Sequence, residues 1–101
     1  MIDPDVKGFT AFQRNTILFM ITNAQLRAAR GFLGWSQARL AEASGLGIAT
    51  IKRMEGERGP LRSSAGNVLK VQQALEEAGV IFIDADEEGP GVRLKANQAG
   101  Q

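Results

Sequence analysis

Hydrophobic positions recur with helical spacing through the middle of the chain. Leu26, Ala29 and Leu33 are three or four residues apart, which is the spacing of one helical face. Thr22 precedes this run and is followed three residues later by Gln25, which is the pattern of a capping box. The glycine after Leu33 suits the left-handed conformation that ends many helices. We therefore predict a first helix between Thr22 and that glycine.

Two shorter helices joined by a tight turn are predicted next. Ser36 is a favoured N-cap for the second helix, and Gly45 tolerates the left-handed backbone that the turn requires. Gly47 then stands at the N-cap of a third helix. This helix turns either Ile48 or Ile51 towards the core, and the spacing alone leaves that choice open.

A fourth helix is predicted over residues 64–78, and Gly79 ends it. Its inward stripe consists of aliphatic and small residues: Val68, Val71, Leu75 and Ala78. After this helix the hydrophobic period falls to two. Residues 80–83 are β-branched or aromatic, residues 92–95 alternate apolar and basic, and the polar segment 84–91 favours a turn. The pattern therefore predicts a C-terminal β-hairpin.

Residues 1–21 show no helical periodicity. Two interpretations stay open: this extension is disordered, or translation starts at Met20 and the first nineteen residues are not native. Its longest apolar run, residues 17–21, is far shorter than the ~20 residues that a membrane-spanning helix needs. The expected organisation has four parts: an extension over 1–21, a helix-turn-helix domain over 22–79, a hairpin over 80–95 and a tail over 96–101.

The composition limits the chemistry open to the chain. Its 101 residues suffice for one domain, and they include no cysteine, histidine or tyrosine. Disulfides, thiolate nucleophiles, common zinc sites and a Ser-His-Asp triad are therefore excluded. We expect no enzymatic activity, no cofactor and no metal. Asp3 and Asp5 stand where a secretory signal would carry positive charge, so we expect a cytoplasmic protein.

The net charge of +1 hides an uneven distribution. Residues 22–62 hold seven basic and three acidic side chains, whereas residues 76–88 hold six acidic side chains and no basic one. One part of the molecule therefore suits a polyanionic partner, and another part repels it. The acidic run 84–88 has the composition of a calcium loop, but it lacks the ligand spacing of an EF-hand.

Residues 30–56 carry the most specific pattern in the chain. Within it, residues 35–56 are predicted to form two short helices joined by a tight turn, and residues 30–37 lead into them. The defining positions are Arg30, Gly34, Ser36, Gln37, Leu40, Ala41, Gly45, Ile51 and Glu55. Over residues 22–78 the chain resembles the Cro/CI-type repressors, the XRE family of helix-turn-helix regulators. The resemblance implies a mainly α fold, a four-helix lambda-repressor-like helix-turn-helix domain, here followed by the C-terminal β-hairpin. It also implies that Arg30 and Glu55 form a structural pair.

Three features depart from the family pattern. Gly56-Glu57 stands where the family usually has Asn-Gly, and the hairpin stands in place of a fifth helix. Arg39 replaces a common acid in the first turn of the second helix. A cation there opposes the helix dipole, which is reasonable if it faces phosphate.

The resemblance implies a sequence-specific transcriptional regulator, a repressor, that binds double-stranded DNA in the major groove as a homodimer. The third helix would present four side chains to base edges: Ile48, Ala49, Lys52 and Arg53. Five further side chains would meet the DNA backbone: Gln37, Arg39, Thr50, Arg58 and Arg62.

The predicted hairpin is also the expected dimerisation element. A two-stranded hairpin covers a core with only one face, yet its first strand is apolar on both faces: Val80, Ile81, Phe82 and Ile83. Pairing with a second copy would bury the outer face. The competing expectation is that residues 17–21 cover the hairpin or join the same interface.

Two other functions stay open on the sequence alone. An antitoxin or protein-interaction module of the same fold would have a protein, such as a toxin, as its main partner. A small carboxylate enzyme or metal-binding protein would use residues 84–88, which the basic segment and the motif disfavour.

Overall fold

The computed structural model describes residues 21–56 and 63–96. Within them, four helices are followed by an antiparallel pair of strands: α1 (Asn23–Leu33), α2 (Gln37–Ser44), α3 (Ile48–Gly56), α4 (Ala65–Glu77), β1 (Val80–Ile83) and β2 (Gly91–Leu94). The predicted mainly helical fold with a C-terminal hairpin is confirmed. The fourth helix is one residue shorter at each end than predicted, because Ser64 and Ala78 are its caps.

The helix ends follow the predicted capping chemistry. The Gln25 amide donates to Thr22 Oγ1 at 3.0 Å, and the Thr22 amide donates to Gln25 Oε1 at 2.9 Å, so the capping box is complete. Gly34 and Gly45 end α1 and α2 with φ of 68° and 78°. An L side chain at such angles is strained, which explains glycine at both positions. Ser36 caps α2 by accepting the amide three residues on.

One hydrophobic core joins the helices to the hairpin. All four helices and β1 contribute fully buried large side chains to this core, and so does the residue before α1. These side chains are Ile21, Leu26, Leu40, Ile51, Met54, Val68, Val71, Leu75 and Val80. Ile51 takes the inward position on α3 that the sequence left open, while Ile48 is 43% exposed. The α4 stripe is buried as predicted, apart from its last residue, the half-buried Ala78.

Ile21 requires a correction to the predicted domain boundary. The predicted boundary places it in the N-terminal extension, yet it is 0% exposed within the core. It directly precedes the N-cap Thr22, and Leu26, at the fourth helical position, is also fully buried. This is the arrangement of a hydrophobic staple, which fixes the direction in which the chain enters a helix. The folded domain therefore includes Ile21.

The hairpin packs on the helices with one face. Val80 lies opposite Leu94 and Phe82 opposite Val92, and these pairs face the core. Ile81 and its partner lie on the other face. Val80 and Phe82 are only 1% and 8% exposed, so two of the four predicted dimerisation residues are buried in the core of their own chain. Only the half-buried Ile81 and Ile83 of that predicted set are left for a partner.

Gln25 ties the hairpin to the start of α1. Its Nε2 donates to the carbonyl oxygens of Ile83 at 3.1 Å and Gly91 at 2.9 Å, one on each strand. The hairpin is therefore part of the same packed unit as the helices and not the separate segment that was predicted.

Some predictions fall on residues outside the described ranges. They concern the N-terminal extension up to residue 20, Arg58, Arg62 and residues 97–101 of the tail. Over residues 21–56 and 63–96, no helix combines the length and the hydrophobicity needed to cross a membrane.

Candidate nucleic-acid interface

Helix α3 presents one face to the core and the opposite face to solvent. Ile51 and Met54 are buried, whereas all four predicted base-contacting side chains are exposed: Ile48, Ala49, Lys52 and Arg53. Thr50, a predicted backbone contact, is half-buried at the border of the two faces. In the part of the chain that the structure describes, no carboxylate pairs with Lys52 or Arg53. The outer face of α3 therefore carries two uncompensated cations beside two apolar side chains.

Glu55 anchors the end of α3 to α1. Arg30 Nε donates to Glu55 Oε2 at 2.7 Å and Arg30 Nη2 donates to Glu55 Oε1 at 2.9 Å, so the predicted structural pair is present and bidentate. The Glu55 side chain is 4% exposed and that of Arg30 is 23% exposed. The hydrogen bond to Glu55, opposed by desolvation and aided by coulombic attraction, raises the pKa of Arg30 above its ordinary value.

The remaining donors around this pair are also used. Arg30 Nη1 donates to the carbonyl of Trp35 at 2.8 Å, and Gln37 Nε2 donates to Glu55 Oε1 at 3.0 Å. The Glu55 carboxylate thus links α1, α2 and α3 at one point. Bidentate charge-assisted bonds are directional, so this cluster fixes the orientation of α3 relative to the rest of the domain.

Arg27 is a positioning residue that the sequence analysis did not identify. Its Nη1 donates to the backbone carbonyl of Glu55 at 2.6 Å, close to the C-terminal end of α3. The last carbonyls of a helix lack intrahelical partners and carry partial negative charge, so a guanidinium there satisfies and stabilises them. The sequence does contain a signal for this role. The spacing Arg27-x-x-Arg30 puts both guanidinium groups on one side of α1.

The start of α2 supplies the other predicted backbone contacts. Gln37 is half-buried, and its side-chain amide donates to the Glu55 carboxylate. It is therefore part of the cluster that orients α3. Arg39 is exposed, and its guanidinium carbon lies 4.5 Å from the centroid of the Trp35 ring. Its contact with Glu42 is 3.7 Å long and solvent-exposed, which is worth little. The Arg39 guanidinium therefore lies over the indole ring that precedes α2.

The predicted site residues fall into two groups. The outer face of α3 and the first turn of α2 lie on consecutive helices that pack together, joined by the turn at Gly45. Arg58 and Arg62 lie outside the described residues.

The acidic loop 84–90 belongs to the hairpin, where Asp86 Oδ1 accepts the Glu88 amide at 2.7 Å in a local turn. Among the described side chains, no group of three carboxylates is arranged to hold a metal ion.

Comparisons of the chain with protein-family models, with curated proteins and with solved structures found no match.

Proposed function

We propose that the chain is a sequence-specific DNA-binding regulator, a repressor of the lambda-repressor-like helix-turn-helix type, which inserts α3 into the major groove as a homodimer. The supporting observation is the outer face of α3. It carries exposed Lys52 and Arg53 beside exposed Ile48 and Ala49, while Glu55 fixes the helix from behind. A rigid helix with these side chains suits base readout in the major groove.

The roles of the four side chains follow from their chemistry. Arg53 and Lys52 donate hydrogen bonds of the kind that guanine O6 and N7 accept, and Ile48 and Ala49 offer apolar contact to thymine methyl groups. Arg39, held over Trp35, faces phosphate from the first turn of α2.

Selection of bound sequences from a random duplex pool, with the purified full chain, tests the proposal directly. We expect one enriched, two-fold symmetric sequence. Its affinity should fall steeply with salt, because Arg39, Arg58 and Arg62 from two chains displace counterions. Six such contacts correspond to a slope of about −5 in a plot of log affinity against log salt.

Matched variants separate readout from general charge. Arg53→Ala should relax the preference at one base position, at a cost of ~1–3 kcal/mol if its contact to guanine is bidentate. Lys70→Ala, which removes an exposed cation from α4, is the control and should leave the selected sequence and its affinity unchanged. An identical selected profile for wild type and Arg53→Ala would remove Arg53 from the readout. Equal affinity for all duplexes would refute sequence-specific binding.

A further inference from the structure

Helix α1 exposes a stripe of uncharged residues on the side away from the core. Ala24, Ala28 and Phe32 are spaced four residues apart and all three are exposed, so they form one row along the helix. The Phe32 side chain is 52% exposed, which makes it the most exposed large hydrophobic residue of the described chain. This row has two small residues and a protruding ring at its end. Burying it removes apolar surface from water, which is favourable.

A groove lies beside the opposite end of this stripe. It has a volume of about 220 Å³ and is lined by residues of α1 and of the hairpin: Thr22, Ala24, Gln25, Ala28, Pro90, Gly91 and Val92. None of these residues is charged. An enclosed apolar cavity of about 150 Å³ already accepts a benzene molecule, so this groove has room for a phenyl ring.

We propose that a second copy of this chain occupies the groove. Two α1 helices would pack antiparallel about a two-fold axis at Ala28, and each Phe32 ring would enter the groove of the other copy. Ala28 lies midway between Phe32 and Ala24, four residues from each, which is about 6 Å along the helix axis. The two-fold axis therefore brings Phe32 of one copy opposite Ala24 of the other, at the mouth of its groove.

Charge favours this face over the other exposed surfaces. An isologous contact sets every side chain near the axis against its own copy, so a charged residue there meets a like charge. The outer face of α3 carries Lys52 and Arg53, and the loop 84–90 carries four carboxylates, so neither can pair with itself. The stripe and the groove are neutral, and the alanine at the axis lets two helix backbones approach closely.

The outer face of the hairpin is the weaker candidate for the same partner. Ile81 and Ile83 are half-buried, and Arg93 lies directly opposite Ile81 on that face. Ile83 also folds across Gly91, where an added Cβ would lie 3.7 Å from the Ile83 Cδ1. The hairpin face therefore offers only half-buried isoleucines beside a cation, whereas Phe32 on α1 is 52% exposed.

The contact rests on the homodimer of the proposed function. A charge-swap experiment at the axis tests where the two copies meet in the absence of DNA, whereas the duplex selection tests DNA binding, so the two can fail separately. Light scattering at micromolar concentration should give the wild type a mass of twice 10.8 kDa. Ala28→Glu and Ala28→Lys should each be monomeric, because they place like charges across the axis. Mixed one to one, they should form the dimer again, since opposite charges then meet.

Controls make each outcome decisive. Ala43→Glu and Ala43→Lys introduce the same charges at an exposed position of α2 and should stay dimeric. Phe32→Ala should weaken dimerisation by about 30-fold, the effect of truncating a side chain that fills a partner's pocket. Circular dichroism should show unchanged helix content, because glutamate, lysine and alanine are all good helix formers.

Three results would overturn the proposal. One is a wild type that remains monomeric at high concentration. Another is an Ala28→Glu and Ala28→Lys mixture that stays monomeric although the wild type is dimeric. The third is dissociation by Ile81→Glu, with Ala28→Glu still dimeric, which would assign the contact to the outer face of the hairpin.

Discussion

Removing the Glu55 carboxylate should destabilise the domain strongly, because it breaks the cluster that anchors α3. Glu55→Ala deletes three hydrogen bonds, two from Arg30 and one from Gln37, at a side chain that is 4% exposed. Breaking a buried pair costs ~3–5 kcal/mol, because the remaining charge stays uncompensated. Arg30 keeps its bond to the Trp35 carbonyl and is 23% exposed, so the lower end of that range applies.

This loss is large against the total stability of a small domain. Domains of this size unfold with about 5–15 kcal/mol, and 1 kcal/mol shifts Tm by roughly 4–8 °C. A loss of about 3 kcal/mol therefore predicts a Tm lowered by roughly 12–24 °C. Urea unfolding followed by circular dichroism measures the same quantity at 25 °C, and an unchanged m-value shows that the native state keeps its compactness.

A double-mutant cycle separates the pair from its surroundings. Arg30→Met with Glu55→Leu removes both charges and fills similar volume, so the double variant should lose far less than the sum of the two single changes. Additive losses would show that Arg30 and Glu55 contribute independently. A melting curve for Glu55→Ala like that of the wild type would refute the argument that this carboxylate orients α3.

Three further outcomes are expected. Arg27→Ala should lower the affinity for all duplexes alike and stability by about 1 kcal/mol, because it frees the Glu55 carbonyl; an altered sequence profile in the pool selection would contradict a positioning role. Gly45→Ala should lower the free energy of unfolding, measured in urea, by about 1–2 kcal/mol, because φ is 78° at this position. Gly31→Ala is the control, in a helical position with open space around it, and should raise the free energy of unfolding by roughly 0.5–1 kcal/mol. Equal effects would refute the strain argument. The raised pKa of Arg30 means that its contribution is complete below its unfolded pKa and is lost only as pH rises through the folded value, so the coupling energy of the cycle should not fall between neutral pH and pH 9.

Local chemistry accounts for what the sequence predicts well. Thr22, Ser36 and Gly45 act within one turn of their own positions, so a cap or a stop is readable from a few letters. The choice between Ile48 and Ile51 was not readable from spacing, because both fit an inward face; only the family resemblance turned Ile48 outward, and packing against the other helices decides it. The Arg30–Glu55 pair was predicted from the family resemblance, because the spacing of the two residues alone does not indicate that they are in contact.

Contacts to backbone atoms account for most of what the sequence did not predict. Arg27 binds a carbonyl at the end of α3, and every residue type offers the same carbonyl. The buried Ile21 was assigned to the extension because periodicity begins only with the helix, although a large apolar residue before an N-cap is a usable signal. The commitment of Val80 and Phe82 to their own core was not readable either, because all four residues of β1 are apolar and only packing against the helices decides which face turns inward.

The two functions of the Gln25 side chain couple distant parts of the chain during unfolding. Its Oε1 completes the cap of α1, while its Nε2 holds carbonyls that lie 58 and 66 residues away. Neither the first turn of α1 nor the loop end of the hairpin, at Ile83 and Gly91, can fray without weakening the other. Native-state hydrogen exchange should therefore report one opening free energy for the amides of both segments, and Gln25→Ala should split them into two cooperative units with different protection.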